Sequence, residues 1–306
     1  MTDPFGRTID YMRLSVTDKC NLNCFYCKTG PVKHVSHEEI LRIEDFTKVA
    51  EAFIGLGGKK FRITGGEPLI RKGVFALIEK LVSSGVTVGM TTNGVLLKRF
   101  ARELKSAGLN GLNVSLDTTD GQVYRSIGGG DVSEVIDGII LASDLGFSLK
   151  INAVLMKGIN DDVFPLAEFA KQAGAELRFI ELMPFSPTEK LISDKFVSAA
   201  EVAERHGLSR TERAGNVTFY EGRGYRVGFI TPLSEKFCAS CNRLRLTCTG
   251  KLLPCLHSDV SFDVRPYLSD YEGLKQILIR AAGAKQPCHQ LEKGVRQNEE
   301  MGSIGG

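Results

Sequence analysis

The chain has 306 residues, 42% of them hydrophobic and 25% charged, with a formal net charge of +3. Such values are ordinary for a soluble globular protein long enough for one large domain and an appendage, and the charge is too mild to call for nucleic acid or a membrane as partner. The opening MTDPFGRTIDYMRLS lacks the basic-then-apolar pattern of a signal peptide, and no apolar run approaches the roughly 18 residues of a membrane span. A cytoplasmic protein is expected, in which the eight cysteines act as metal ligands or free thiols rather than disulfides.

In chain order, short β-branched or apolar runs recur: MRLSV, KFRIT, TVGMTT, GLNVSL, LKINAVL and ELRFIEL. Helical spacing fills residues 38–56, 74–83, 96–107, 132–145 and 162–173, and Gly108, Gly146 and Gly174 stand where helix C-caps are expected. Strand alternating with helix six times predicts a parallel sheet with right-handed crossovers. Six units are too few to close an eight-fold barrel, so the expectation is an α/β fold built on a partial (β/α)₆ barrel.

Chemistry in such barrels gathers at the C-terminal ends of the strands. There the sequence places its unusual polar residues: the first cysteine run, TGGEP (64–68), TTNG (91–94), SLD (115–117) and ELMP (181–184). The pattern changes near 190–215. NVTFYEGRGYRVGFI reads as two strands around a Gly-Arg-Gly turn, followed by CASCNRLRLTCTGKLLPC and a polar, Gly-ended tail. The expected division is a barrel over residues 1–200 and a smaller, loop-rich domain folded around metal over residues 201–306.

Cys20, Cys24 and Cys27 make a C-x₃-C-x₂-C run with no fourth cysteine nearby. A structural zinc site closes with four protein ligands, whereas a four-iron cluster on three thiolates keeps one iron open for a small molecule. In the second group, Cys238, Cys241, Cys248 and Cys255 could make a four-cysteine zinc site. Cys238, Cys241 and Cys255 alone could instead hold another cluster with an open iron. Arg243 and Arg245 alternate after Cys241, so in an extended segment both guanidiniums face one side, a fork suited to phosphate oxygens.

With Tyr26 beside its last cysteine and GGEP one unit later, the first run resembles the radical S-adenosylmethionine superfamily. The ordered set RITGGEPLIR, NVSLDT, KGIND, FIELMP, the second cysteine group and a terminal IGG is similar, over nearly the whole chain, to the GTP 3′,8-cyclase family. The resemblance implies two [4Fe-4S] clusters, one on Cys20, Cys24 and Cys27 and the other on Cys238, Cys241 and Cys255. It implies that S-adenosylmethionine binds the open iron of the first and is cleaved to a 5′-deoxyadenosyl radical. That radical takes hydrogen from the ribose C3′ of GTP, and the resulting carbon radical attacks C8 in the first step of molybdenum cofactor biosynthesis. Tyr26, Gly66, Ser115 and Met183 fall on cofactor-contact positions. Arg13, Arg62, Thr91, Lys150, Arg243 and Arg245 fall on GTP-contact positions, with Arg178 a further one, and Gly305 and Gly306 make the catalytic Gly-Gly tail. The implied partners are a low-potential electron donor and, downstream, cyclic pyranopterin monophosphate synthase, with a homodimer left open.

Two departures and two rivals accompany this expectation. KTGPVKHVSHEEILR after Cys27 is short and lacks the family's Met-Pro, and Cys288 matches no family position. The rivals are a radical enzyme that modifies a peptide or haem precursor, and a zinc-knuckle nucleic-acid module.

Overall fold

Side-chain alternation organises the sheet. In β1 (Tyr11–Ser15), Met12 and Leu14 are fully buried in the main hydrophobic core, while Tyr11, Arg13 and Ser15 point to the opposite face. The computed structural model of the chain describes residues 1–27, 35–184, 189–291 and 304–305. Residues 28–34, the first part of the shortened segment after Cys27, and Gly306 lie outside that set.

Strands β2 (Lys60–Thr64), β3 (Thr87–Thr92), β4 (Gly111–Ser115), β5 (Ser148–Leu155) and β6 (Glu176–Glu181) follow β1 in parallel, in chain order. Helices α1 (Ile43–Gly55), α2 (Val74–Ser83), α3 (Leu97–Ser106), α4 (Gly121–Ile127), α5 (Val132–Asp144) and α6 (Phe164–Gln172) make the crossovers. Their apolar faces meet the outer face of the sheet. Phe53 of α1 and Phe61 of β2, for instance, pack edge-to-face at 5.7 Å. Gly108, Gly146 and Gly174 have φ of 82°, 70° and 58°, left-handed conformations that end α3, α5 and α6 without a side-chain penalty.

After α7 (Glu189–Lys195) and α8 (Ala199–Arg205), the chain does not build a separate sheet. β9 (Tyr225–Ile230) pairs parallel with β6, and β10 (Arg243–Leu246) pairs parallel with β1. The antiparallel strands β7 (Ser209–Ala214) and β8 (Val217–Gly222) extend one edge, and β11 (Lys251–Leu253) and β12 (Phe262–Asp263) extend the other. The result is one open 12-stranded sheet in the order β12-β11-β10-β1-β2-β3-β4-β5-β6-β9-β8-β7. The partial barrel is therefore flanked on both sides by strands from the C-terminal third.

That third is more regular than a loop-rich expectation. Besides its strands it holds α9 (Tyr271–Gly283), which packs against α1 and buries Leu274, Ile277, Leu278, Ala281 and Ala282. Their spacing is that of a helix face, readable in the sequence but hidden among polar neighbours. The expected helix at 38–56 begins only at Ile43, because Asp45 accepts hydrogen bonds from both the Arg42 amide (3.2 Å) and the Arg42 side chain and stops the helix there.

Candidate active site at the barrel mouth

The first cysteine run leaves β1 and is held by loops from its neighbours. The amides of Asn23 and Phe25 donate to the carbonyls of Gly128 and Ile127 at 3.1 and 2.9 Å. Gly128 is required there, since a Cβ would lie 2.2 Å from the Asn23 carbonyl and φ is +113°. The Tyr26 hydroxyl donates to Asp117 at 2.6 Å, and the other Asp117 oxygen accepts the Val154 amide at 2.7 Å. Burial, then the negative charge of Asp117, Cys27 and Cys20, pushes the Cys24 thiol up to about 12. Three thiolates so placed repel one another and need a cation, and an iron–sulfur cluster fits that donor set.

TGGEP lies directly against this loop. The amides of Gly66 and Glu67 each donate at 2.8 Å, to the carbonyls of Thr17 and Lys19 respectively. A Cβ on Gly66 would come 2.2 Å from the Lys19 carbonyl, so only glycine permits the contact. Glu67 is fully buried and accepts from Leu69, Thr92 and Asn93 at 3.0, 2.9 and 2.8 Å. Burial raises its pKa to about 7 against the pull of those three bonds. Asn93 in turn places its amide 3.5 Å from the Cys20 sulfur. Ser115 ends β4 opposite Asn152 of β5, and Met183 packs with Leu253 and Ile304.

The register gathers the basic residues. Arg13 lies beside Arg245 on one side and Arg62 on the other, with Tyr11 beside Arg243. Farther round, Thr91 faces Asn113, Asn113 faces Lys150, and Asn152 faces Arg178. Arg62 donates to Asn113 (2.9 Å), the Met90 carbonyl (3.0 Å) and the Tyr11 hydroxyl (3.3 Å). Gly89 makes room for it, as a Cβ there would stand 2.9 Å from the guanidinium carbon. Burial, then repulsion from Arg245, lowers Arg13 to about 9; burial, then Arg243, lowers Arg245 to about 10. Although burial opposes it, Arg13, Arg62 and Arg243 drag the Tyr11 hydroxyl down to about 7. So much buried positive charge calls for an anion. Thr91 Oγ1 and Arg243 Nε are buried without a hydrogen-bond partner among the described residues. Lys150 is depressed by burial and then by Arg178, whereas Arg178 is already paired with Glu176.

Cys241 and Cys255 lie within electrostatic reach of Arg245, and Cys255 within that of Cys238. The buried Lys285 donates to the carbonyls of Arg243 and Pro254, both at 2.8 Å, and lies 3.8 Å from the Cys241 sulfur. Burial opposes ionisation of Cys241, but Lys285 and the neighbouring arginines bring its thiol below the ordinary range. Cys238 is pushed up to about 11 by burial. Cys248 is fully buried, and its carbonyl accepts the Leu41 amide at 2.8 Å. The C-terminal segment enters the same mouth. Ile304 is fully buried, and the Gly305 carbonyl accepts from Arg245 at 2.5 Å. A Cβ on Gly305 would sit 2.4 Å from Thr64 at the end of β2.

Sequence reading missed Tyr11, Asn113 and Asp117, although Tyr11 and Asn113 alternate with Arg13 and Ser115 and so share their faces. Lys285 carries no local signal.

Comparison with known proteins accounts for this arrangement. The family model described as the Radical SAM superfamily matches residues 14–170, and Molybdenum Cofactor Synthesis C matches residues 175–291. The GTP 3′,8-cyclase of Alkaliphilus oremlandii is 39% identical over 100% of both chains. The chain belongs to the GTP 3′,8-cyclase family. A second member, from Peptoclostridium acidaminophilum, is 40% identical over 100% of this chain and 98% of its own length. Among solved structures, Streptococcus suis SuiB bound to S-adenosylmethionine superposes with a TM-score of 0.65 at 15% identity, covering 88% of this chain and 68% of that one. That likeness is one of fold, a mostly parallel α/β sheet that stays open. Family membership brings a four-iron cluster and S-adenosylmethionine, for which the Cys20–Cys24–Cys27 loop and the close approach at Gly66 are suited.

Proposed function

We propose that the chain is a radical S-adenosylmethionine lyase that converts GTP to 3′,8-cyclo-7,8-dihydro-GTP in the first step of molybdenum cofactor biosynthesis. The observation that carries the reading is the wall of Arg13, Arg62, Arg243 and Arg245, the second and fourth buried and the others half-buried, set between the first cysteine run after the end of β1 and the second cysteine group beside the start of β10. Neither a peptide substrate nor a nucleic-acid groove calls for four guanidiniums on neighbouring strand positions with two of them buried, whereas a triphosphate does.

Cys20, Cys24 and Cys27 hold the first cluster, and Tyr26, Gly66, Ser115 and Met183 frame the cofactor. The bound cofactor supplies the radical that starts the reaction. Arg13, Arg62, Arg243 and Arg245 neutralise and orient the triphosphate, with Thr91 and Lys150 on the facing strands. Cys238, Cys241 and Cys255 hold a second [4Fe-4S] cluster at the base end of the nucleotide. Gly305, and by the family resemblance Gly306 beyond the described residues, make a catalytic tail whose lack of side chains lets backbone donors reach the substrate. On this reading residues 1–200 form the radical barrel and residues 201–306 supply the second cluster and the tail. A low-potential donor feeds electrons, and cyclic pyranopterin monophosphate synthase takes the product. No described helix is long and apolar enough to cross a membrane; a cytoplasmic location belongs to this proposal.

The test is anaerobic. The reconstituted protein should carry about eight iron atoms per chain in two four-iron clusters. It should form the cyclised nucleotide from GTP, S-adenosylmethionine and reductant. Cofactor cleavage without any cyclised nucleotide would reject the assigned substrate.

A further inference from the structure

Asn93, from TTNG just beyond the end of β3, meets the first cysteine loop with a side chain fixed at both ends. Its Oδ1 accepts the Val95 amide at 3.1 Å. A backbone N–H can only donate, so this bond settles which end of the side chain is oxygen. Nδ2 is thereby turned towards the loop, where it donates to Asn21 Oδ1 at 2.8 Å and to the Cys20 sulfur at 3.5 Å. That sulfur also accepts the Leu22 amide at 3.4 Å, a bond within its own loop, whereas Asn93 reaches it from another strand.

The surroundings hold Asn93 in place. Its backbone amide donates at 2.8 Å to the buried Glu67 carboxylate, which also takes the Leu69 amide at 3.0 Å and the Thr92 hydroxyl at 2.9 Å. The Glu67 amide donates at 2.8 Å to the carbonyl of Lys19, the residue before Cys20. One residue of TGGEP thus ties the end of β3 to the approach of the first cysteine. Gly94 follows with φ of +82°, where a Cβ would stand 2.7 Å from Val135 and 2.8 Å from Val114, so packing sets this turn as well.

We propose that Asn93 is a positioning residue that sets the reduction potential of the first cluster by donating from Nδ2 to the Cys20 sulfur. The inference rests on the reading that Cys20, Cys24 and Cys27 hold that cluster, and it deepens that reading. Negative charge on the ligating sulfurs grows when the centre takes up an electron, and an N–H aimed at one of them stabilises the reduced state. Asn93 therefore makes the centre easier to reduce. A side chain without the Nδ2 donor leaves the potential lower and the electron harder to deliver.

A redox titration reads this apart from catalysis. Anaerobic, iron-loaded protein is titrated with titanium(III) citrate and followed by paramagnetic resonance, the first cluster being the signal that S-adenosylmethionine alters. Asn93→Asp keeps an oxygen for the Val95 amide and loses the donor, and Asn93→Ala loses the donor without adding charge. At the wild-type midpoint both variants should raise the ratio of oxidised to reduced cluster about tenfold, a shift of about 59 mV to lower potential for one electron. Asn21→Ala removes the other Nδ2 bond and should keep the wild-type midpoint. A wild-type midpoint in the Asn93 variants, an equal shift in Asn21→Ala, or loss of the cluster from both Asn93 variants would each overturn the inference. The underlying reading fails differently: a signal sensitive to S-adenosylmethionine that persists in Cys24→Ala would take the cluster away from these cysteines, whatever the potentials.

Discussion

Arg245 does two things at once, which makes it the most informative single residue. Its guanidinium belongs to the buried basic wall, and it also holds the Gly305 carbonyl. A charge-assisted hydrogen bond contributes about 1.5–3 kcal/mol. Arg245→Ala should therefore weaken GTP binding tenfold or more by anaerobic calorimetry, while cofactor cleavage without GTP changes little. Arg243, which makes no contact with the tail among the described hydrogen bonds, should show the binding loss alone. Glu67 offers a pH test. Its folded pKa of about 7 lies above the ordinary 4.5, so the folded state holds this proton more tightly than the unfolded state. The contribution is fully present below about pH 4.5 and is lost as pH rises through about 7, a difference on the order of 3 kcal/mol. Urea midpoints of wild type and Glu67→Gln, compared from about pH 5 to about pH 8, should lie closest at the acid end, where both side chains are neutral, with wild type falling away from the variant as pH rises. A constant gap would mean that Glu67 is charged throughout.

At the level of elements, the site is made by loops pressed together at strand ends. The Gly66 contact with the Lys19 carbonyl joins the loop after β2 to the approach of the first cysteines. Gly66→Ala forces backbone apart and should cost about 1–3 kcal/mol. Its signature should be a raised KM for S-adenosylmethionine with the iron content kept; an unchanged KM would show that the loop is free to shift. The tail is the other such element. Terminal glycines ordinarily fray, and ordering them costs about 1–2 kcal/mol per residue. Buried Ile304, packed with Leu253 and Met183, is the anchor that offsets this cost. Removing Gly305 and Gly306 should leave both clusters and near-normal GTP binding but suppress the cyclised product. Wild-type yield from the shortened chain would make the tail an ordinary end.

The whole molecule is a single hydrogen-bonded sheet, and that has a consequence for its stability. β1 and β6, the ends of the radical barrel, are covered by β10 and β9. A fragment of residues 1–200 would expose both strands as open edges, which invite pairing with other chains. Expressed alone, it should aggregate or elute as a broad oligomer in size exclusion, and a monomeric fragment with native circular dichroism would contradict this. Chemically, however, the two cysteine groups should separate. Cys24→Ala should abolish reductive cleavage of S-adenosylmethionine, whereas Cys255→Ala should lose cyclisation and keep some uncoupled cleavage.

Much of this was legible without coordinates. The six barrel strands, the glycines that end α3, α5 and α6, and the polar strand ends follow from local periodicity and backbone sterics, which a sequence expresses directly. So does the common face of Arg243 and Arg245, since alternation in a strand needs no knowledge of its neighbours. Which strand lies beside which is another matter. That β10 pairs with β1 and sets Arg245 against Arg13 depends on a pairing across most of the chain, decided by the summed burial of both faces and invisible to any local window. Lys285 beside Cys241, Arg7 spanning Cys238 and Gln286, and Cys288 within reach of Cys238 are contacts of the same kind. The sequence determined the elements and the chemistry at their ends; tertiary packing alone decided which charges and thiols share a cavity, because that choice is made by non-local contacts.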